Sequence, residues 1–232
     1  MKNQMDWFLV IATLMILNPR APEATVIKKH LVSSRRLMIV LFSLGLTACS
    51  SQPIVINHYL LNLASPSTSV IDNNNANTTI IITDVSLPDH LTSRSLVMQT
   101  ENGMLSIATK HVWAQPLDSD FGTLLANAIS KQPDLSAFYG AQNMSALRGV
   151  SLNGDIQLAI VIEHFMPIAS GDVVLTGHWQ LTSNQIIEKP RRFEFKTKME
   201  ADGYIHSVNK MRTLVENLAN AISQELAMKA IN

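Results

Sequence analysis

The one cysteine of the 232 residues, Cys49, closes the run Leu46-Thr47-Ala48-Cys49 directly after a short apolar stretch. A thiol can act as a nucleophile, so its place in the chain says more than its size. Lys28, Lys29, Arg35 and Arg36 lie upstream, followed by Leu37 to Gly45, which is apolar apart from Ser43. A basic patch, a short apolar core and small residues before a cut make a secretory signal. A membrane span needs roughly 20 apolar residues, about twice this run. Cleavage between Ala48 and Cys49 leaves cysteine first, which is the pattern of a bacterial lipoprotein signal. The expected chemistry is lipidation: a diacylglyceryl group on the Cys49 sulfur and a further acyl chain, such as palmitate, on the freed amine. The competing reading is a buried or free thiol that packs as a small apolar side chain. With no second cysteine, an intramolecular disulfide is excluded.

No other residues fall at catalytic spacing. Six of the seven histidines follow Cys49 (His58, His90, His111, His164, His178 and His206), and none pairs at metal-ligand spacing on one element. A Gly-x-Ser-x-Gly nucleophile elbow is absent, and so are the phosphate-cradling and dinucleotide glycine motifs. Asp118 and Asp120 resemble paired acids, but acids at a helix start are explained by the helix dipole. The expectation is a protein that is not an enzyme and holds no metal or cofactor. Trp113 and Trp179 are read as core residues, with an interface anchor as the alternative.

Charge narrows the partners. The formal net charge of zero hides an asymmetry, because six of the 18 Lys and Arg but only Asp6 and Glu23 precede Cys49. From Cys49 onward, 12 basic residues face 16 acidic ones, a net charge of −4. A nucleic-acid binder usually shows a basic stripe, so that class is disfavoured. There is also no polybasic patch for anionic lipid, which leaves the anchor to hold the membrane. The expected organisation is 1–48 as an N-terminal extension plus signal, 49–56 as a tether and 57–232 as one domain. Two starts remain open for translation, Met1 with a long leader or a site near Val26, which gives the signal an ordinary basic-then-apolar layout.

The elements that must position anything functional follow from pattern. Asn57 to Leu63 reads as a first strand, and Asp72 to Asn77 as a polar loop. Thr78 to Val85, β-branched almost throughout, reads as a buried strand. Leu87 to Leu91 is a turn at Pro88. Ser95 to Thr100 and Met104 to Thr109 form a hairpin around Glu101-Asn102-Gly103. Proline at 116 opens a helix whose stripe is Leu117, Phe121, Leu124, Leu125, Ala128 and Ile129, with Pro133 ending it. Three strands follow at Ile156 to Phe165, Val173 to Leu181 and Arg192 to Met199. A C-terminal helix then carries Ile205, Val208, Met211, Val215, Leu218, Ile222 and Leu226 on one face, widened by Leu214. The fold class is α+β, an antiparallel-rich mixed sheet with two main helices packed on one face.

Taken in order, several short motifs resemble one family, the ABC-type transport auxiliary lipoproteins, with the lipoproteins of paraquat-inducible systems as its nearest branch. They are Tyr59-Leu60-Leu61, Val85 to Leu91 around Pro88, Trp113-Ala114-Gln115-Pro116-Leu117-Asp118, Glu163-His164-Phe165, Gly177-His178-Trp179-Gln180-Leu181 and Asp202-Gly203-Tyr204. The motif residues Tyr59, Pro88, Trp113, Pro116, Leu117, Trp179, Gly203 and Tyr204 are expected to be structural. His90 departs from the pattern, where an aromatic residue is common. The resemblance implies an outer-membrane lipoprotein, anchored by lipid and facing the periplasm, in an envelope-spanning lipid transport system. It implies an inner-membrane partner with MCE domains stacked into a tube, met by an octameric ring of this chain at the tip. Ser50 after the cysteine fits outer-membrane sorting. A module that carries phospholipid in its own pocket is the alternative reading.

Overall fold

The computed structural model describes residues 53–63, 78–140 and 156–230. Cys49, Ala48, the signal, half of the tether and the asparagine loop lie outside them. The described chain runs β1 (Asn57–Tyr59), β2 (Thr78–Ser86), a single helical turn α1 (Asp89–Thr92), β3 (Ser95–Gln99), β4 (Leu105–Trp113) and α2 (Leu117–Ile129). It continues with β5 (Leu135–Tyr139), β6 (Ile156–Pro167), β7 (Asp172–Ser183), β8 (Ile186–Ile187), β9 (Arg191–Lys198) and α3 (Tyr204–Ala230).

Six strands form the large sheet, ordered β5-β2-β6-β7-β8, with β9 continuing beside β7. β2 lies parallel to both neighbours, and β6, β7, β8 and β9 pair antiparallel. A central parallel strand is covered on both faces, and Ile80, Ile81 and Ile82 of β2 are all buried. In β7, Val173, Leu175, Trp179 and Leu181 alternate inward, as the period of two requires. Both helices pack on this sheet and against each other, α2 over β2 and β5, α3 over β7 and β9. The α+β class expected from pattern is the class observed.

Several local expectations change. The hairpin β3–β4 does not extend the large sheet. With β1 it forms a separate three-stranded sheet, ordered β1-β4-β3. It is linked to the end of β6 by a bridge between Gln99 and Ile168. The first strand stops at Tyr59 instead of Leu63, because side chains take over the backbone groups of Leu60 and Leu61. Pro88 opens one helical turn, closed by Leu91 N–H donating to the Pro88 carbonyl at 2.8 Å, where a plain turn was expected. β5, parallel to β2, was not foreseen. Its five residues are too few to show a period against the Pro133 that precedes them. Ile205 is 64% exposed rather than part of the stripe, because α3 meets the sheet only from Val208 onward.

Candidate functional site

The segment Tyr59-Leu60-Leu61 sits in a clasp made by the two helices. Leu61 is fully buried. Its N–H donates to Asp120 Oδ2 at 2.5 Å, and its carbonyl accepts from Arg212 Nε at 2.8 Å. Arg212 Nη2 reaches the Leu60 carbonyl at 2.7 Å, and Nη1 holds Asn209. Asp120 is also bound by the Gln115 amide. Just before them, the Tyr59 carbonyl accepts from Ala114 N–H at 2.7 Å. A backbone leaving a sheet must find other partners for its polar groups, and here α2 and α3 supply them. Burial pushes the Arg212 guanidinium down, with the Asp120 charge opposing that fall.

Asp120 is therefore more than a carboxylate placed to suit a helix dipole. It occupies a position of the apolar stripe between Leu117 and Phe121 and is 1% exposed. An acid inside an apolar stripe is the sequence signal that finds such a group, since a buried carboxylate needs partners. Asp118 lies half-buried near Tyr139, whose hydroxyl is pushed up first by burial and then by the charges of Asp118 and Asp84. The two acids do not form a catalytic pair.

Beside the clasp, three aromatic rings from separate elements cluster, His111 stacked on Tyr204 and Tyr59 tilted against both. Tyr59 OH lies 2.8 Å from His111 Nδ1, and the His111 ring stacks on Tyr204 with centroids 3.7 Å apart. Burial raises the Tyr59 pKa, and the neighbouring Tyr204 adds to the rise. Tyr204 begins α3 directly after Gly203, whose φ of +121° lies in the left-handed region that favours glycine. The Gly203 carbonyl accepts both the backbone N–H and the hydroxyl of Ser207, at 3.0 and 3.1 Å.

Tyr204 stands at the rim of a cavity of about 360 Å3. Leu91, Leu96, Trp113, Leu117, Phe165 and Met211 line its buried interior, and Ser106, Asp202 and Tyr204 are exposed at its edge. These residues come from α1, β3, β4, α2, the end of β6 and the start of α3. The sequence motifs thus converge here. Trp113, Leu117, Gly203 and Tyr204 line the cavity, Pro116 caps α2 above it, and Pro88 caps the turn that carries Leu91. Trp179 lies elsewhere, buried on β7 against Phe193 with centroids 5.6 Å apart. In the same motif, a Cβ on Gly177 would stand 2.1 Å from the Val161 carbonyl oxygen, so β6 and β7 approach through glycine. His90, the departure from the motif, leaves its buried Nε2 without a hydrogen-bond partner.

Among the described residues, no group of three or more His, Cys, Asp or Glu could hold a metal ion. No described helix is long and apolar enough to cross a membrane. The cavity presents no nucleophile next to a base, and its one buried hydroxyl, Ser207, is tied to Met199 Sδ and the Gly203 carbonyl. Such an arrangement is suited to binding and positioning.

The sequence model of the family described as ABC-type transport auxiliary lipoprotein component matches residues 59–223, from the clasp to the last turns of α3. The chain belongs to this family. It is accordingly an auxiliary lipoprotein of an ABC-type or Pqi transport system, associated with a membrane. It is 26% identical over 194 residues to the intermembrane transport lipoprotein PqiC of Escherichia coli K12, covering 83% of this chain and 97% of that protein. The fold recurs in a crystal structure of an uncharacterized protein (TM-score 0.60, 24% identity, 74% of this chain and 99% of that one). It recurs again in a protein of Xanthomonas campestris (TM-score 0.52, 14% identity, 76% of this chain and 97% of that one).

Proposed function

We propose that this lipoprotein is the outer-membrane docking component of an MCE-type intermembrane lipid transport system. It is held by lipid on Cys49, sorted outward with Ser50 at the next position, and faces the periplasm. Copies form an octameric ring that receives the tip of a PqiB-like MCE tube anchored in the inner membrane. The role is non-enzymatic. The observation that carries this reading is the family match across 59–223 together with the similarity to PqiC over nearly all of that protein.

The clasp supports it from the physical side. A lipid anchor positions a protein only if the chain next to it is fixed to the fold, and here both helices grip the residues that follow the tether. Stable anchoring takes two or more acyl chains, which a modified lipoprotein cysteine carries. For the ring, α3 uses its apolar stripe against the sheet, which leaves a sheet edge as the seam between copies, since open edges invite pairing.

The test is crosslinking in intact envelopes, then affinity purification of the tagged chain and mass spectrometry. Recovery of an MCE-domain protein in the outer-membrane fraction is the expected result. Its absence, with efficient crosslinking of the bait, removes the docking role. Light scattering of the anchorless chain at micromolar concentration checks the ring, and a monomer there counts against it.

A further inference from the structure

We propose that the cavity beneath Trp113 is a binding site for one acyl chain of a zwitterionic phospholipid. Its volume of about 360 Å3 sits at the small end of ligand pockets, which span roughly 300–1000 Å3. That suits a single slender chain better than a whole lipid. Leu91, Leu96, Leu117, Phe165 and Met211 give the interior a mainly apolar wall, completed by the Trp113 indole and the Ser207 hydroxyl. Met98 and Met199 join Met211 in the lining. Three thioether side chains adapt to a flexible occupant more readily than branched ones.

The rim decides the headgroup. Ser106, Asp202 and Tyr204 stand there exposed, and among the described residues no lysine or arginine lines the cavity. The Asp202 carboxylate repels a free fatty-acid carboxylate or a net-anionic headgroup, whereas an ammonium of the ethanolamine type meets a favourable charge. Location decides the source. The Tyr59 and Tyr204 rings lie 6.4 Å apart, so the rim adjoins the point where the tether enters the fold. Cys49 lies eight positions before Asn57, a reach of at most about 29 Å, which keeps the rim close to the bilayer that holds the anchor. This nearness rests on the proposed lipidation of Cys49, while the pocket chemistry does not. Exposed Ile54, Val55, Ile56 and Ile205 add an apolar surface along the path in sequence before the clasp and after the rim.

The site is tested with the chain from Ser50 onward, exported without a lipobox and purified without detergent. Every buried core residue among those described lies at or beyond Leu61, and Ile54–Asn232 is one compact unit. Extraction and mass spectrometry should find close to one phosphatidylethanolamine per chain. Ser106→Trp and Ala169→Trp fill the cavity from exposed positions and should lower that lipid at least tenfold. Asn220→Trp, on the exposed side of α3, should leave it unchanged. A second readout fills no part of the cavity. Vesicles of phosphatidylethanolamine with brominated acyl chains should quench Trp113 fluorescence by more than half in the Trp179→Phe chain. The Trp113→Phe chain, which retains Trp179, should show little quenching. Absence of both copurified lipid and quenching overturns the proposal. So does lipid that survives cavity filling in folded variants, or a cavity occupied by a second copy of the chain. Recovery of the MCE partner by a cavity-filled variant separates this outcome from failure of the docking role.

Discussion

Two carboxylates are buried at opposite ends of the helical layer, Asp120 in the clasp and Glu225 near the end of α3. Asp120 acts on backbone: besides the Gln115 amide it takes the Leu61 N–H, while Arg212 takes the neighbouring carbonyls. Glu225 faces side chains. Arg191 reaches it at 2.8 Å and Lys229 at 3.0 Å, both well exposed, and Lys229 also pairs with Glu188. The first arrangement determines where the chain goes. The second joins surfaces that the sheet and helix have already positioned. A buried charge acting on backbone is therefore a feature of the fold path, and one acting on mobile cations is an adjustment to it.

Substitutions can break or sharpen this contrast. The largest effect belongs to the residue the clasp delivers. Leu61→Ala should destabilise by about 2–5 kcal/mol in denaturant unfolding, the range for emptying a buried leucine site. A loss below 1 kcal/mol would show that the clasp holds a loosely packed segment. Asp120→Ala leaves the buried Leu61 N–H and the Gln115 amide without their acceptor and removes the negative charge facing Arg212, and should cost about 3 kcal/mol. That loss should hardly change between low and high salt, because the Asp120 carboxylate is buried and its interactions are little screened.

Next comes a gain at the same end. His90→Phe removes an unpartnered buried nitrogen and should stabilise by about 1 kcal/mol. A loss instead would mean that the imidazole makes an interaction specific to this chain. At the far end, Lys229→Ala should cost under about 1 kcal/mol and less still at high salt, since Arg191 remains on Glu225. A salt-independent loss as large as that of Asp120→Ala would erase the distinction between the two ends.

The smallest effect is a pH dependence. The Ser170 hydroxyl and Lys196 hold the Asp172 carboxyl below its ordinary value of 3.8. A depressed folded-state pKa contributes stability that is complete above the unfolded value and lost as pH falls through the folded one. Asp172→Asn should therefore melt slightly lower than the native chain at neutral pH, and the gap should close as pH falls below the ordinary carboxyl value.

What could be read from sequence was what depends on neighbours along the chain. The α2 stripe, the strand at Val173 to Leu181 and the hairpin around Gly103 are local, and all are found where the pattern put them. β5 was missed because parallel pairing with β2 joins residues more than fifty positions apart. The separate three-stranded sheet was missed for the same reason, since β1 meets β4 over a similar distance. The cavity was not legible at all as a cavity, though its residues were legible as motifs. Trp113, Leu117, Gly203 and Tyr204 stood out singly, and only the fold shows that they share a wall. Cys49, the most legible residue of all, lies outside the described chain.

The grip on Leu60 and Leu61 has a mechanical meaning. With the proposed lipid on Cys49 in place, a lateral tug from the bilayer would reach the N-terminal end of the fold first. β1 offers three residue pairs against β4, a short ladder. Beyond it, the tug meets Asp120 on α2 and Arg212 on α3 at once, so the force divides between both helices and spreads into the sheet beneath. The clasp thus works as a strain relief, like the knot that keeps a pulled cord from tearing its socket.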